Sequence, residues 1–278
     1  LAAGDMAVIL AGLDLDSFAV ADILKKAYGA TPTQLAVWLK AAGYSLWSTV
    51  SALLMDRGVT AEQLAVALTA ANAPATAEQS AGMVANVLVA FLQAPAETTA
   101  QSLKAAGVSA EAALDAIAET YAVQPEEAIE ALALANYPAG EFAAVLWSLS
   151  GLDLVRKAGV MVKHGYAVPE IIDALEHHVD AITPAGVIET LRLSGGGLQR
   201  AAQAVRHYGF APSDAYATLL GAKYTAHEAL TILGAATNSY EAALVARAKD
   251  VDASLLGAVM RQSFGETVDT AVLLLRNA

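Results

Sequence analysis

Metal-capable side chains crowd together at one place in this sequence, Glu170-Ile171-Ile172-Asp173-Ala174-Leu175-Glu176-His177-His178-Val179-Asp180. On a helix Asp173 and His177 are four apart, as are Glu176 and Asp180. Each pair then shares a face and offers imidazole and carboxylate to a divalent ion such as zinc or nickel. The segment lacks the H-E-x-x-H order of zinc hydrolases, and no third histidine is tied to it. We therefore read His177 and His178 as closing a helix at its negative pole. Neither a metal nor a cofactor is expected, and Asp173, His177 and His178 are the residues at which that expectation is exposed. Nucleophilic chemistry finds no better footing, because no serine sits in a G-x-S-x-G elbow. Ser150-Gly151 and Ser194-Gly195 read as turns. Gly195-Gly196-Gly197 precedes a helix whose N-terminus attracts anions, but neither a strand before it nor a Gly-Lys-Ser/Thr after it completes a phosphate cradle. No catalytic residue is assigned, and the chain is not expected to be an enzyme.

Two further histidines recur at matching places, in Lys163-His164-Gly165-Tyr166 and Arg206-His207-Tyr208-Gly209. Both fall in the last turn of a helix before glycine, where a cation favours the helix end. Amphipathic aromatics are favoured interface anchors. On that ground Trp38, Trp47, Trp147, Tyr166 and Tyr208 are the candidates for a binding face.

The elements that must carry these residues follow from a short sentence repeated from end to end. Residues 23–45 read ILKKAYGATPTQLAVWLKAAGYS, and TAEQLAVALTAA follows from Thr60. Apolar anchors recur about every 14 to 15 residues at Leu24, Leu39, Leu54, Leu68, Leu103, Ile117 and Leu132, one short helix plus one tight turn per copy. Helix starts carry an oxygen-bearing side chain followed three residues later by Glu or Gln: Thr31/Gln34, Thr60/Gln63, Thr76/Gln79, Thr98/Gln101, Thr225/Glu228 and Asn238/Glu241 fit the capping box. Pro32, Pro125 and Pro184 sit where a first helical residue belongs. Gly29, Gly43, Gly58, Gly107, Gly165 and Gly209 mark helix ends, usually followed by an apolar residue. Lys25, Lys26, Lys40, Arg57, Lys104, Lys163 and Arg206 gather just before those glycines, and carboxylates gather in first turns, as the helix macrodipole favours at each pole.

No segment shows the period-two alternation of a strand. The expectation is an all-α chain, a right-handed α-solenoid or superhelix of about 18–19 short antiparallel helices, each ~9 to 16 residues long. We read residues 1–278 as one continuous solenoid. The register slips near residues 93–97, 148–151 and 193–197, and the middle slip marks a possible joint near residues 148–152. The helix over residues 77–92 is expected to be longer and more apolar than its fellows.

Composition narrows the functions. The formal charge of -12 repels nucleic acid and anionic lipid. Hydrophobic residues make up 56% and aromatics only 6%, so the mean hydropathy of +0.47 comes largely from alanine. The longest largely apolar run, residues 82–92, is about half of the ~20 residues a membrane span needs. With no cysteine there is no disulfide framework and no thiol nucleophile. Residues 6–13 are apolar but have no basic residue ahead of them, unlike a signal peptide. We expect the chain to be a segment of a longer protein.

The segment over residues 23–45 resembles the alanine-rich tandem helical repeats of very large bacterial proteins, many of them exported or displayed at the cell surface. Their units read roughly LK-x-x-Y-x-A-T-x-x-Q-L-A-x-x-LK-x-A-G-Y-S. The likeness is close over residues 23–71, recognisable over 103–139, and reduced to caps and spacing beyond Gly140. The resemblance implies an α-solenoid in a modular, extracellular or surface-located protein, and it implies no catalytic residue. Function then reads as a structural or spacer module. The alternative is a binding scaffold whose concave face holds a protein, peptide or apolar ligand. Partners follow as another protein or further copies joined through open ends, with no nucleic acid and no membrane span. The last helix, expected over residues 267–278, carries Val272-Leu273-Leu274-Leu275 without an obvious cap.

Overall fold

The computed structural model describes residues 1–55, 58–267 and 270. Among them are eighteen α-helices and no strand. In order they are α1 (Ala3–Gly12), α2 (Ser17–Tyr28), α3 (Pro32–Ala41), α4 (Leu46–Leu54), α5 (Ala61–Ala71), α6 (Ala77–Leu92), α7 (Ala96–Ala105), α8 (Ala110–Tyr121) and α9 (Pro125–Leu134). The remainder are α10 (Ala139–Ser148), α11 (Leu154–Lys163), α12 (Val168–His178), α13 (Pro184–Leu193), α14 (Gly197–Tyr208), α15 (Pro212–Gly221), α16 (Ala226–Ala236), α17 (Ser239–Ala248) and α18 (Ala253–Phe264). The expected final helix and Arg57 lie outside the described residues.

The chain divides into two compact units, Leu1–Leu149 and Ser150–Ala278. In the first, α1, α3, α5, α7 and α9 pack in succession as one row, and α6, α8 and α10 continue a second row begun by α2 and α4. Trp47 of α4 stacks on Phe91 of α6 with ring centroids 5.0 Å apart, bridging the two parts of that row. In the second unit α11, α13, α15 and α17 form one row, and α12, α14, α16 and α18 form the other. Helices two apart in sequence are thus neighbours in space, each burying an apolar stripe on the next.

The core of each row is the repeated anchor. Leu24, Leu39, Leu68, Leu103, Ile117 and Leu132 are all buried. Leu54 is not the anchor of α4. Leu53 takes that place, because α4 starts at Leu46 and its stripe runs through Val50 and Leu53, leaving Leu54 on the flank. Alanines fill the remaining contacts, and their small side chains let neighbouring helices approach closely.

Helix starts follow the expected chemistry with two corrections. Complete boxes close at Thr31/Gln34, Thr60/Gln63, Thr76/Gln79 and Thr225/Glu228. Asn238 supplies only the forward half, accepting from the Glu241 N–H at 2.8 Å. Thr98 is no cap at all. Pro95, extended and lacking an N–H, starts α7 three residues earlier, so Thr98 is interior and Gln101 turns to Glu97 at 3.4 Å. Thr76→Ala is accordingly expected to cost about 1 kcal/mol in chemical denaturation, and Thr98→Ala to change almost nothing. The box at Thr225 adds a pH signature. Hydrogen bonds from Thr225 are the main cause holding the Glu228 carboxyl below its usual range. A depressed carboxyl contributes stability that is present above its unfolded pKa and fades as pH falls through its folded value.

Helix ends use two linked bonds. After α3 the Gly43 N–H reaches Lys40 O (2.9 Å) and the Tyr44 N–H reaches Leu39 O (3.1 Å). After α7, Gly107 and Val108 repeat the pair on Lys104 and Leu103. Both glycines sit at positive φ, 90° and 80°, where a side chain is strained.

Candidate functional site

The histidine pair closes α12 as a helix end. The two rings meet edge to face, 4.8 Å between centroids. Burial is the first cause lowering the His178 pKa, and the positive charges of His177 and Lys157 push the same way. Asp173 and His177 do share a face of α12. Glu176 and Asp180 do not, because the helix stops at His178 and Val179 turns extended, carrying Asp180 off the helix. Glu176 is committed elsewhere, accepting from the Tyr208 hydroxyl at 2.7 Å. Among the described residues no group of three or more His, Asp or Glu side chains gathers as a metal site would require.

The triple-glycine turn has a structural explanation. Gly195 and Gly197 are at φ 83° and 66°, and a Cβ on Gly196 would lie 2.7 Å from the Leu191 carbonyl oxygen that its own N–H bonds. All three positions reject a side chain for reasons of backbone alone.

The aromatic candidates divide by exposure. Trp47, stacked on Phe91, exposes 54% of its surface and is the most open of the five. Trp38 is half-buried, with the start of α1 at Gly4 against its indole, and Trp147 is half-buried on α10. Tyr166 is buried, and burial followed by the Glu170 charge pushes its hydroxyl pKa well above the usual phenol range. Tyr208 is half-buried, its ring edge-on to His207 and its hydroxyl pKa raised by burial and by Glu176. Trp38, Trp47 and Trp147 belong to the first unit, Tyr166 and Tyr208 to the second.

A set of ties between helices two apart was not read from the sequence. Lys104 at the end of α7 donates to Ala135 O (3.2 Å) and Asn136 O at the end of α9, with its ammonium 5.8 Å from the Tyr137 ring. Arg192 of α13 does the same to Ala222 O (3.1 Å) beneath Tyr224, again 5.8 Å from the ring. Arg206 of α14 reaches Ala236 O (3.1 Å) and Ala235 O, and Lys40 reaches Asn72 Oδ1 at 3.0 Å. Each cation spans 29 to 32 residues. Lys104, Arg192 and Arg206 therefore satisfy free backbone carbonyls at the end of the next helix in the row, and Lys40 the Asn72 side chain there, as well as favouring their own helix end. A signal was present: Lys104 precedes Tyr137, and Arg192 precedes Tyr224, by about one helix pair.

Fold and sites together define a chain of short helices packed in two rows per unit, with side-chain caps at many helix starts and cationic ties between some neighbours of a row. No protein-family model, curated protein or solved structure matches this chain. No helix among the described residues is long and apolar enough to cross a membrane.

Proposed function

We propose that the chain is a structural spacer: helix pairs stacked as a right-handed α-solenoid that separates or presents other parts of a large bacterial surface or exported protein. One observation carries the reading. Ties recur at about one helix pair in both units, so at four places a helix is fastened to the next of its row by its own last-turn cation. Within this reading a protein partner or a second copy is met at α1, whose Val8 and Ile9 stand exposed with Leu13 just past its end.

A spacer of stacked pairs tolerates a change of length in whole pairs. Deleting residues 31–59 joins Ala30 to Thr60, replaces one capping-box threonine by its equivalent, and removes α3 and α4 together. The shortened chain is expected to keep its helicity per residue and a cooperative melt, read by circular dichroism. Deleting residues 31–45 removes α3 alone, reverses the direction of every later helix in the first unit, and is expected to abolish that melt. Collapse of the first deletion would rule out interchangeable pairs.

A further inference from the structure

Helix α1 is a copy of the two helices that follow it in its row. Residues 6–10 read MAVIL where residues 35–39 read LAVWL and residues 64–68 read LAVAL. The likeness of α1 to α3 runs on into the turn, since Asp14 and Gly43 both take positive φ and Asp16 and Ser45 both cap the next helix. Leu10, Leu39, Leu68, Leu103 and Leu132 put α1, α3, α5, α7 and α9 in register.

That register separates ordinary exposure from exposure peculiar to α1. Two residues before the leucine stand Val8, Val37 and Val66, all three exposed, so Val8 faces outward as its copies do. One residue before it stand Ile9, Trp38, Ala67, Ser102 and Ala131. Ala67, Ser102 and Ala131 are buried and Trp38 is half-buried, whereas Ile9 is 46% exposed. The cover of this position is visible at α3. There the Trp38 indole lies over the first turn of α1, where a Cβ on Gly4 would stand 3.4 Å from its Cδ1. The residue before the leucine thus meets the preceding helix of the row, and on α1 that residue is Ile9. Helix α1 also carries a single charge, Asp5, and is otherwise apolar or glycine all round, the composition of a helix with neighbours on several sides.

We propose that Ile9 and the α1 face around it form a docking surface for one further helix pair of the same repeat. Its leading helix would lay a small first-turn residue under Ile9, as α1 lays Gly4 under Trp38. The surface continues the α1–α3 interface outward by one step, and that continuity selects the partner. A charged partner has little to hold there, Asp5 being the one ionic group of α1. A second copy offering its own α1 would set Ile9 against Ile9, without the small residue on which the Trp38 contact depends. The inference rests on the spacer reading and adds to it the kind of partner that α1 meets.

The test repeats residues 1–29 ahead of Leu1 in the full chain. Leu1 then follows Gly29 as Ala30 does, and the added Gly4 precedes Ile9 by the same stretch of chain that separates Gly4 from Trp38. Hydrogen exchange of the original α1 amides is expected to slow at least about tenfold against the parent chain. Ile9→Lys, at an exposed position, is expected to leave exchange in the parent nearly unchanged and to return the extended chain to the parent rate. Unchanged exchange in the extended chain overturns the proposal, whether or not the added pair folds, and so does an equal effect of Ile9→Lys in both chains. Sedimentation of the parent across a concentration series adds a second check. A dimer that Ile9→Lys dissociates would give the face to a second copy and overturn the proposal as well. The deletion of residues 31–59 reports on interchangeable pairs whatever α1 does, so failure of the spacer reading and failure of this inference are told apart.

Discussion

Phe142→Ala is expected to remove about 3–5 kcal/mol from the stability of the first unit. The side chain lies on α10 and is fully buried, with Leu146 one turn on and Tyr137 in the preceding loop also in the core. Most core positions of this chain are leucine or alanine, so a ring deleted here leaves a void that small neighbours fill poorly. A loss of that size is a large share of what marginally stable domains possess. All three tryptophans fall in the first unit, so tryptophan emission excited at the red edge, where tyrosine does not absorb, reads that unit in a urea titration. A midpoint shift equivalent to less than about 1 kcal/mol would mean that Phe142 is not part of a packed core.

The second large effect is at Gly234. A Cβ there would stand 1.9 Å from Cζ of Phe264 and 2.4 Å from its Cε1, far inside any contact distance. Gly234→Ala is expected to lower stability by about 1–3 kcal/mol, because the ring must leave its seat. The loss outweighs the gain of roughly 1 kcal/mol that alanine brings to a helix interior. The diagnostic is the pair. Phe264→Ala alone should destabilise by losing the ring, yet in the Gly234→Ala background it should cost little more, since the ring is already displaced. The coupling from the double-mutant cycle, followed by circular dichroism, should reach about 1 kcal/mol or more. Strict additivity would show that Phe264 does not seat on Gly234.

How much of this was legible depended on whether a signal was local. Helix starts at Thr31, Thr60, Thr76 and Thr225 were readable because a cap involves only residues three apart. Thr98-x-x-Gln101 carries the same letters but sits inside α7, since the preceding proline sets the start, and that competing rule decided the case. The Leu53 and Leu54 exchange shows the same limit at finer scale. A spacing of 15 residues fits the average copy, whereas α4 begins one residue off that average. The Glu176 and Asp180 pair failed because it assumed a helix running on to Asp180, whereas α12 ends at the histidine pair that closes it. The ties of Lys104, Arg192 and Arg206 went unread for a different reason, since the spacing of a cation to an aromatic one pair on does not by itself show a contact. They depend on which helix lies two along in space, a relation that only the packed rows supply.

The central claim is that the chain is built from helix pairs, each stabilised mainly by its nearest neighbours. Single-molecule force spectroscopy on the chain held by its two ends tests this most directly. Stacked pairs should peel in a series of small steps, each releasing about 100 Å of contour, the length of roughly 30 extended residues. A first unit that instead lets go all at once, releasing about 500 Å in one step for the whole of Leu1–Leu149, would contradict the account.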